Sequence, residues 1–391
     1  MTRNIFKLSF LGLLVVMWSQ GTSRADECLF INGNRPIVEN EVHAFRLQAG
    51  SVPVEAEGSP FKTRGLGGVQ GATQSLVARG EQLWVLNSGA SGEGSVAGFR
   101  IAEDCRLEFQ SLSEPTPGFS FAMIVDRSEQ FLYVTNGEER SISVFERDEH
   151  IGWRLVGNVP TPRTALGLVQ DPQSGFVYVV FFNAPGFGVY RRLENGLLEL
   201  RNIEIGLHAG LLLPPTGRTL FSYWSRFDGG LNVLGLDESG VPTLEEGSPW
   251  PGPIGISDMV YIDSLSLLVA VNGTRRELAA FEVDGVRIEQ RPFSPVPGLP
   301  AVSRGLAVDQ NRQFYVVSLQ RLLTFTVGRD AIEPVEPALI LPTGEKAGLI
   351  VHPAPRALPI TDIPTLSSRS LVVQAIVLAI ATLAVLVRRR K

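Results

Sequence analysis

The sequence predicts an all-β fold, a seven-bladed β-propeller whose N- and C-terminal strands close the first blade, followed by a C-terminal transmembrane helix. Three observations predict it. An apolar strand pattern recurs seven times, Pro/Gly corners separate the copies, and an opening strand is missing from the first copy but left over after the last.

The recurring run reads Leu29-Phe30-Ile31-Asn32, Leu83-Trp84-Val85-Leu86-Asn87, Leu132-Tyr133-Val134-Thr135-Asn136, Val177-Tyr178-Val179-Val180, Leu220-Phe221-Ser222-Tyr223, Leu267-Leu268-Val269-Ala270 and Phe314-Tyr315-Val316-Val317. Successive starts lie 54, 49, 45, 43, 47 and 47 residues apart, the length of a four-stranded blade. After each run comes a second strand with a bulky residue at one register: Phe45, Phe99, Phe145, Tyr190, Leu234, Phe281 and Phe325. A β-sandwich also has many short strands but predicts no fixed long period.

Each unit ends in a weaker strand and a corner, as at 114–118, 160–162, 249–252 and 295–298. The prolines there exclude a central strand. Opening strands run into turns at Asp126, Asp171, Asp263 and Asp309, where a carboxylate folds back onto the following amides. The first unit has no such opening strand, and Gly348-Leu349-Ile350-Val351-His352-Pro353 is spare. The two ends together complete one blade and hide the edges that would template aggregation.

Both ends of the chain read as targeting segments. Arg3 and Lys7 precede an apolar run too short to span a bilayer, and Ser23 and Ala25 are the small residues of a signal-peptide cleavage site. Residues 1–25 are therefore expected to be removed, leaving the propeller over 26–356. A linker over 357–370 leads to 371–387, where Gln374 and Thr382 alone interrupt the apolar run, and to a basic end at 388–391. Seventeen residues rise roughly 26 Å as a helix, enough to cross a thin hydrocarbon core. The basic end stays cytoplasmic by the positive-inside rule, which leaves the propeller outside.

Composition narrows the function. Forty glycines, 26 prolines and a formal charge of -5 describe a turn-rich chain without a basic stripe, which excludes nucleic acid as a partner. Cys28 and Cys105, in an oxidising compartment, either pair as a disulfide or remain two independent thiols.

Tyr133-Val134-Thr135-Asn136, set between Asp126 and Phe145, resembles the YVTN repeat of seven-bladed propellers that include the lactonase-like family. The resemblance covers most of residues 28–356 and implies the architecture. Ile363-Pro364-Thr365-Leu366, followed by the apolar run and terminal arginines, resembles the IPTL-CTERM sorting tail, although Arg369 stands where that family carries an aromatic residue. It implies an exosortase-type transpeptidase and the membrane as partners. The alternative is a plain membrane anchor behind a Pro-rich linker.

No catalytic motif stands out. The four histidines show no H-E-x-x-H spacing, the cysteines no metal-ligand spacing, and Gly255-Ile256-Ser257-Asp258-Met259 departs from G-x-S-x-G at Met259. No cofactor and no metal are expected. Side chains from different blades converge at the channel mouth, where the repeat alignment puts Phe121, Leu166, His208, Asp258, Arg304 and Lys346. His208, Asp258, Arg304 and Lys346 form an arc suited to an anionic ligand or to polarising a lactone carbonyl while His208 or Asp258 steers water. Solvated rim charges without a ligand are the plainer account of the same residues. The rim loops at 87–94, 136–140, 183–187, 224–229 and 272–277 are the second candidate surface. There Trp224, Arg226 and Phe227 beside Arg275 and Arg276 make an aromatic and cationic patch of interface type. Two functions follow: an exported surface or periplasmic binding propeller with an unknown small-molecule or protein ligand, and a lactonase-like hydrolase working in the channel.

Overall fold

The structure is a computed structural model. It describes residues 27–353, except 69–73, 90–91, 183–185, 205, 207, 215–217, 224–229, 252–254, 301–302, 311, 319 and 343–346. The expected signal peptide, sorting motif and membrane helix lie outside the described residues. Among those described, no helix is long and apolar enough to cross a membrane.

Seven antiparallel sheets follow one another along the chain, each built around a four-strand meander. Blade one is the exception in connectivity. Its innermost strand, Ala347–Pro353, comes from the far end of the repeats and pairs with Glu27–Asn32, which pairs in turn with Glu39–Leu47. The closure read from the unmatched strands is therefore present. Blades two to seven occupy 76–117, 120–160, 165–204, 210–251, 256–297 and 304–340 in order.

The register explains the repeat. The first residue of the apolar run faces the bulky residue of the next strand in six of the seven blades: Leu29 with Phe45, Leu83 with Phe99, Leu132 with Phe145, Val177 with Tyr190, Leu220 with Leu234 and Phe314 with Phe325. In blade six Phe281 faces Leu268, not Leu267, so the sequence register there is one residue early. Apolar residues occupy every position from Leu267 to Val271, which hides the period of two that fixes a register.

Alternate residues of these strands face opposite neighbours. Seven apolar clusters among the described residues result, one between each pair of consecutive blades. Cys28 and Phe30 pack toward Leu83 and Val85 of blade two, whereas Leu29 and Phe45 pack toward Tyr315 and Leu322 of blade seven. The other five join blades two and three through Trp84 and Leu132, three and four through Tyr133 and Val177, four and five through Tyr178 and Leu220, five and six through Phe221 and Leu268, and six and seven through Val269 and Phe314. Burying each such side chain contributes about 1.5–3 kcal/mol. Stability is thus shared between blades rather than held within them.

The Pro/Gly corners prove to be edge structure. Thr116–Pro117, Trp250–Pro251 and Val296–Pro297 each add a two-residue strand to the third strand of their blade, an outer position where proline's missing N–H costs no ladder bond. Asp126, Asp171 and Asp309 accept hydrogen bonds from amides two to five residues on. Asp263 instead opens a short 3-10 turn. Cys28 and Cys105 are disulfide-bonded with Cα atoms 5.5 Å apart, tying blade one to the outer turn of blade two.

Candidate functional site

The repeat residues themselves are structural. Tyr133 donates its hydroxyl to the Gly196 carbonyl of blade four at 2.9 Å, and Tyr178 does the same to Gly240 of blade five at 2.6 Å. Asn136 is fully buried and ties the turn at its end, donating to Ser141 and Ser143 and accepting from Ser120. The tetrapeptide clasps neighbouring blades and carries no reactive group.

The channel is where the innermost strands of different blades face one another. The innermost strand of each blade turns one edge toward the axis, and the N–H groups on that edge lack a ladder partner. Bulges break the ladder near the start of five of these strands, at Ser120/Ala122, Ala165/Gly167, Ile256/Asp258, Arg304/Leu306 and opposite Ile31/Asn32. Just past four of them an amide finds its acceptor inside the channel. Leu306 donates to Asp258 Oδ2 at 2.8 Å, and Met259 donates to Asp258 Oδ1 at 2.9 Å. Leu168 donates to Gln74 Oε1 at 3.0 Å, and Met123 to the Gln74 backbone carbonyl at 2.8 Å.

Asp258 therefore links blade six to the inner edge of blade seven. Burial pushes its carboxyl up to about 7, although the amides of Met259 and Leu306 pull the other way. Two N–H donors offset only part of the lost hydration, so the group exchanges its proton near neutrality. Beside it, the Tyr223 hydroxyl donates to the Ser257 carbonyl at 2.9 Å, and burial pushes that phenol upward.

Of the predicted arc, Asp258 and Arg304 occupy corresponding backbone positions in blades six and seven. Arg304 pairs with Val317 on the rung where Asp258 pairs with Val271, three residues past the register-setting Phe314 and Leu268. His208 stands elsewhere than the alignment put it. The innermost strand of blade five is Gly210–Leu212, so His208 precedes it by two residues and is buried rather than at the rim. Its Nδ1 lies 2.5 Å from Ser222 Oγ and its ring packs edge-on against Phe187. Burial pushes His208 down to about 4, which makes it a neutral packing residue at ordinary pH. Lys346 lies outside the described residues. Phe121 packs against Phe119 at 5.2 Å.

Of the rim patch, Trp224, Arg226 and Phe227 lie outside the described residues. Arg276 donates to the Leu299 carbonyl at 2.9 Å, and Arg275 stands 3.9 Å from Glu277. Both arginines thus hold their own loop. An open cleft of about 520 Å³ also lies between blades four and five, edged by Phe176, Arg191, Arg201 and Ser239. Glu199 is shared between both arginines, and Glu238 also edges the cleft, so the two cations there face two carboxylates. Among the described residues no group of three His, Cys, Asp or Glu is placed to hold a metal ion.

Gln74 was not singled out by sequence. It precedes the innermost strand of blade two, Leu76–Arg79, which is four residues long and runs into Gly80 rather than an aspartate turn.

No family model matches the chain, and no curated protein does. Solved structures do. A Lactobacillus plantarum protein is 14% identical with a TM-score of 0.68, covering 84% of this chain and 99% of its own. A putative 6-phosphogluconolactonase from Bacteroides uniformis is 11% identical at 0.68, covering 84% and 100%. A periplasmic gluconolactonase from Pseudomonas aeruginosa is 13% identical at 0.67, again covering 84% and 100%. At these identities the likeness establishes the propeller fold and leaves the chemistry to the site.

Proposed function

We propose that this propeller is an exported lactonase-like hydrolase whose chemistry centres on Asp258 in the channel. The observation that carries the reading is a channel carboxyl, held between two blades by backbone amides and pushed up to about 7. Such a group suits proton transfer near neutral pH. In its ionised form it takes a proton from water as the water oxygen attacks the lactone carbonyl. As the tetrahedral intermediate collapses and the ring C–O bond breaks, it returns that proton to the departing ring oxygen. The product is the open hydroxy acid. Arg304, one blade on at the same rung, is the candidate counter-charge for the developing oxyanion.

Two lines support the setting. The gluconolactonase names belong to structural neighbours that cover the same propeller, and the Cys28–Cys105 disulfide fits an oxidising compartment such as the periplasm. Delivery through the IPTL-type tail remains part of the proposal. In a host with a matching exosortase, mass spectrometry should find a mature C-terminus near Thr365. Recovery of intact Lys391 would favour a plain anchor.

The hydrolase is tested by titrating acid released from sugar lactones by the purified chain. Asp258→Asn should lower turnover at least about 100-fold and Arg304→Ala at least about tenfold. Arg276→Ala, on the rim loop, should change little. A second reading, a binding propeller, is favoured by the fact that each Asp258 oxygen already holds an amide and that His208 is buried. It predicts ligand binding with no acid release.

A further inference from the structure

We propose that Gln74 is the ligand-anchoring residue of the channel, its pinned amide presenting N–H donors to the carbonyl or hydroxyls of a polyhydroxylated lactone. The inference deepens the hydrolase reading and rests on it for the substrate class.

The geometry fixes which end of the side chain is available. Leu168 offers an N–H, so the atom 3.0 Å from it must be the Gln74 carbonyl oxygen. The NH2 end is therefore turned away from the blade-four edge, with no acceptor among the described residues. The Gln74 backbone carbonyl is held as well, by Met123 at 2.8 Å. One residue of blade two thus bonds to the inner edges of blades three and four, which puts its side chain in the channel rather than between blades. Gly167 keeps that path open. A Cβ there would stand 3.1 Å from Gln74 Oε1, closer than an ordinary contact.

A side chain anchored at one end loses little further freedom when its other end binds, which is the condition for a useful recognition contact. Its chemistry also complements Asp258. Gln74 contributes donors from the end of its amide that Leu168 does not use, and Asp258 contributes the lone pairs left on oxygens that each accept one amide. A polyol with a carbonyl offers acceptors to the first and hydroxyl donors to the second.

The test compares Gln74→Glu and Gly167→Ala with the unmodified full chain. Glucono-lactone is the substrate, and its non-hydrolysable lactam is the equilibrium ligand. Glutamate keeps an acceptor for Leu168 and removes the donors, so folding should survive with an unchanged Tm. We expect KM for the lactone and Kd for the lactam to rise about tenfold with kcat within about twofold, the signature of lost uniform binding. Gly167→Ala, which displaces the amide, should move both constants the same way. If Gln74→Glu leaves KM and Kd unchanged while Asp258→Asn abolishes turnover, the assignment of Gln74 is overturned and the hydrolase stands. A change in kcat and Tm alone would make Gln74 structural and also overturn it. Gln74-dependent lactam binding without lactone turnover would remove the hydrolase reading and leave Gln74 as an anchor. Neither binding nor turnover by the unmodified chain would overturn both.

Discussion

Stability between pH 4 and 6.5 should be nearly flat with respect to Asp258 and His208, because the two groups oppose each other there. Asp258 holds its proton more tightly folded than unfolded, with a carboxyl raised from 3.8 to about 7. Its contribution is complete below the unfolded pKa and is lost as pH rises toward 7. At about 1.36 kcal/mol per unit, that interval is worth at most about 4 kcal/mol. Residual contact with solvent makes it an upper bound. His208 behaves in the opposite sense, lowered from 6.5 to about 4 by burial. Its contribution is complete above 6.5 and is lost as pH falls, by about 3 kcal/mol at pH 4. Asp258→Asn should therefore unmask stability that rises with pH, and His208→Gln should unmask stability that falls with pH. Urea denaturation at intervals from pH 4 to 7.5 measures both, and background carboxylates cancel when the three curves are subtracted. An Asp258→Asn profile parallel to the unmodified one would refute the claim that this carboxyl carries a proton near neutrality.

Reducing the Cys28–Cys105 bond, or replacing both residues with alanine, should cost about 4 kcal/mol for a loop of 77 residues; denaturation with and without dithiothreitol checks it. Tyr133→Phe should cost about 1 kcal/mol by leaving the Gly196 carbonyl without its donor, read as a lower urea midpoint at unchanged m-value. A chain ended at residue 346 loses the strand paired with Glu27–Asn32. It should melt well below one ended at 356, and equal melting temperatures would contradict closure through blade one.

The fold was legible because blade geometry writes itself into the sequence twice. The apolar run and the bulky residue of the next strand face each other directly, so both recur with one period, from Leu29 and Phe45 to Phe314 and Phe325. The site was less legible because innermost strands are short and irregular. Where the strand is long and ends in an aspartate turn, as before Asp126, its start is easily counted. In blade five it is three residues without a bulge, and the count placed His208 at the rim although it is packed against Phe187. Asp258 was found by aligning the starts of the innermost strands, but its bond to Leu306 joins it to a bulged strand 48 residues away. Gln74 is an ordinary polar residue in sequence, and its partner Leu168 is 94 residues distant. Backbone edges that become available only after ring formation leave no trace in composition or period.

Ring closure has a consequence for the order of events during synthesis. Glu27–Asn32 emerges first, yet its inner partner, Ala347–Pro353, is made after every other blade. Until then the nascent chain is an open arc with an unpaired strand edge at one end, and the apolar face carrying Leu29 and Phe45 has no blade seven to meet. Non-local closure of this length slows folding, and such an edge invites pairing with other chains. Delaying collapse until the whole chain has been threaded through a membrane would shorten the time that edge stands open. The export proposed above and the closure through blade one would then make compatible demands on this sequence, with docking of the last strand as the step that completes the ring.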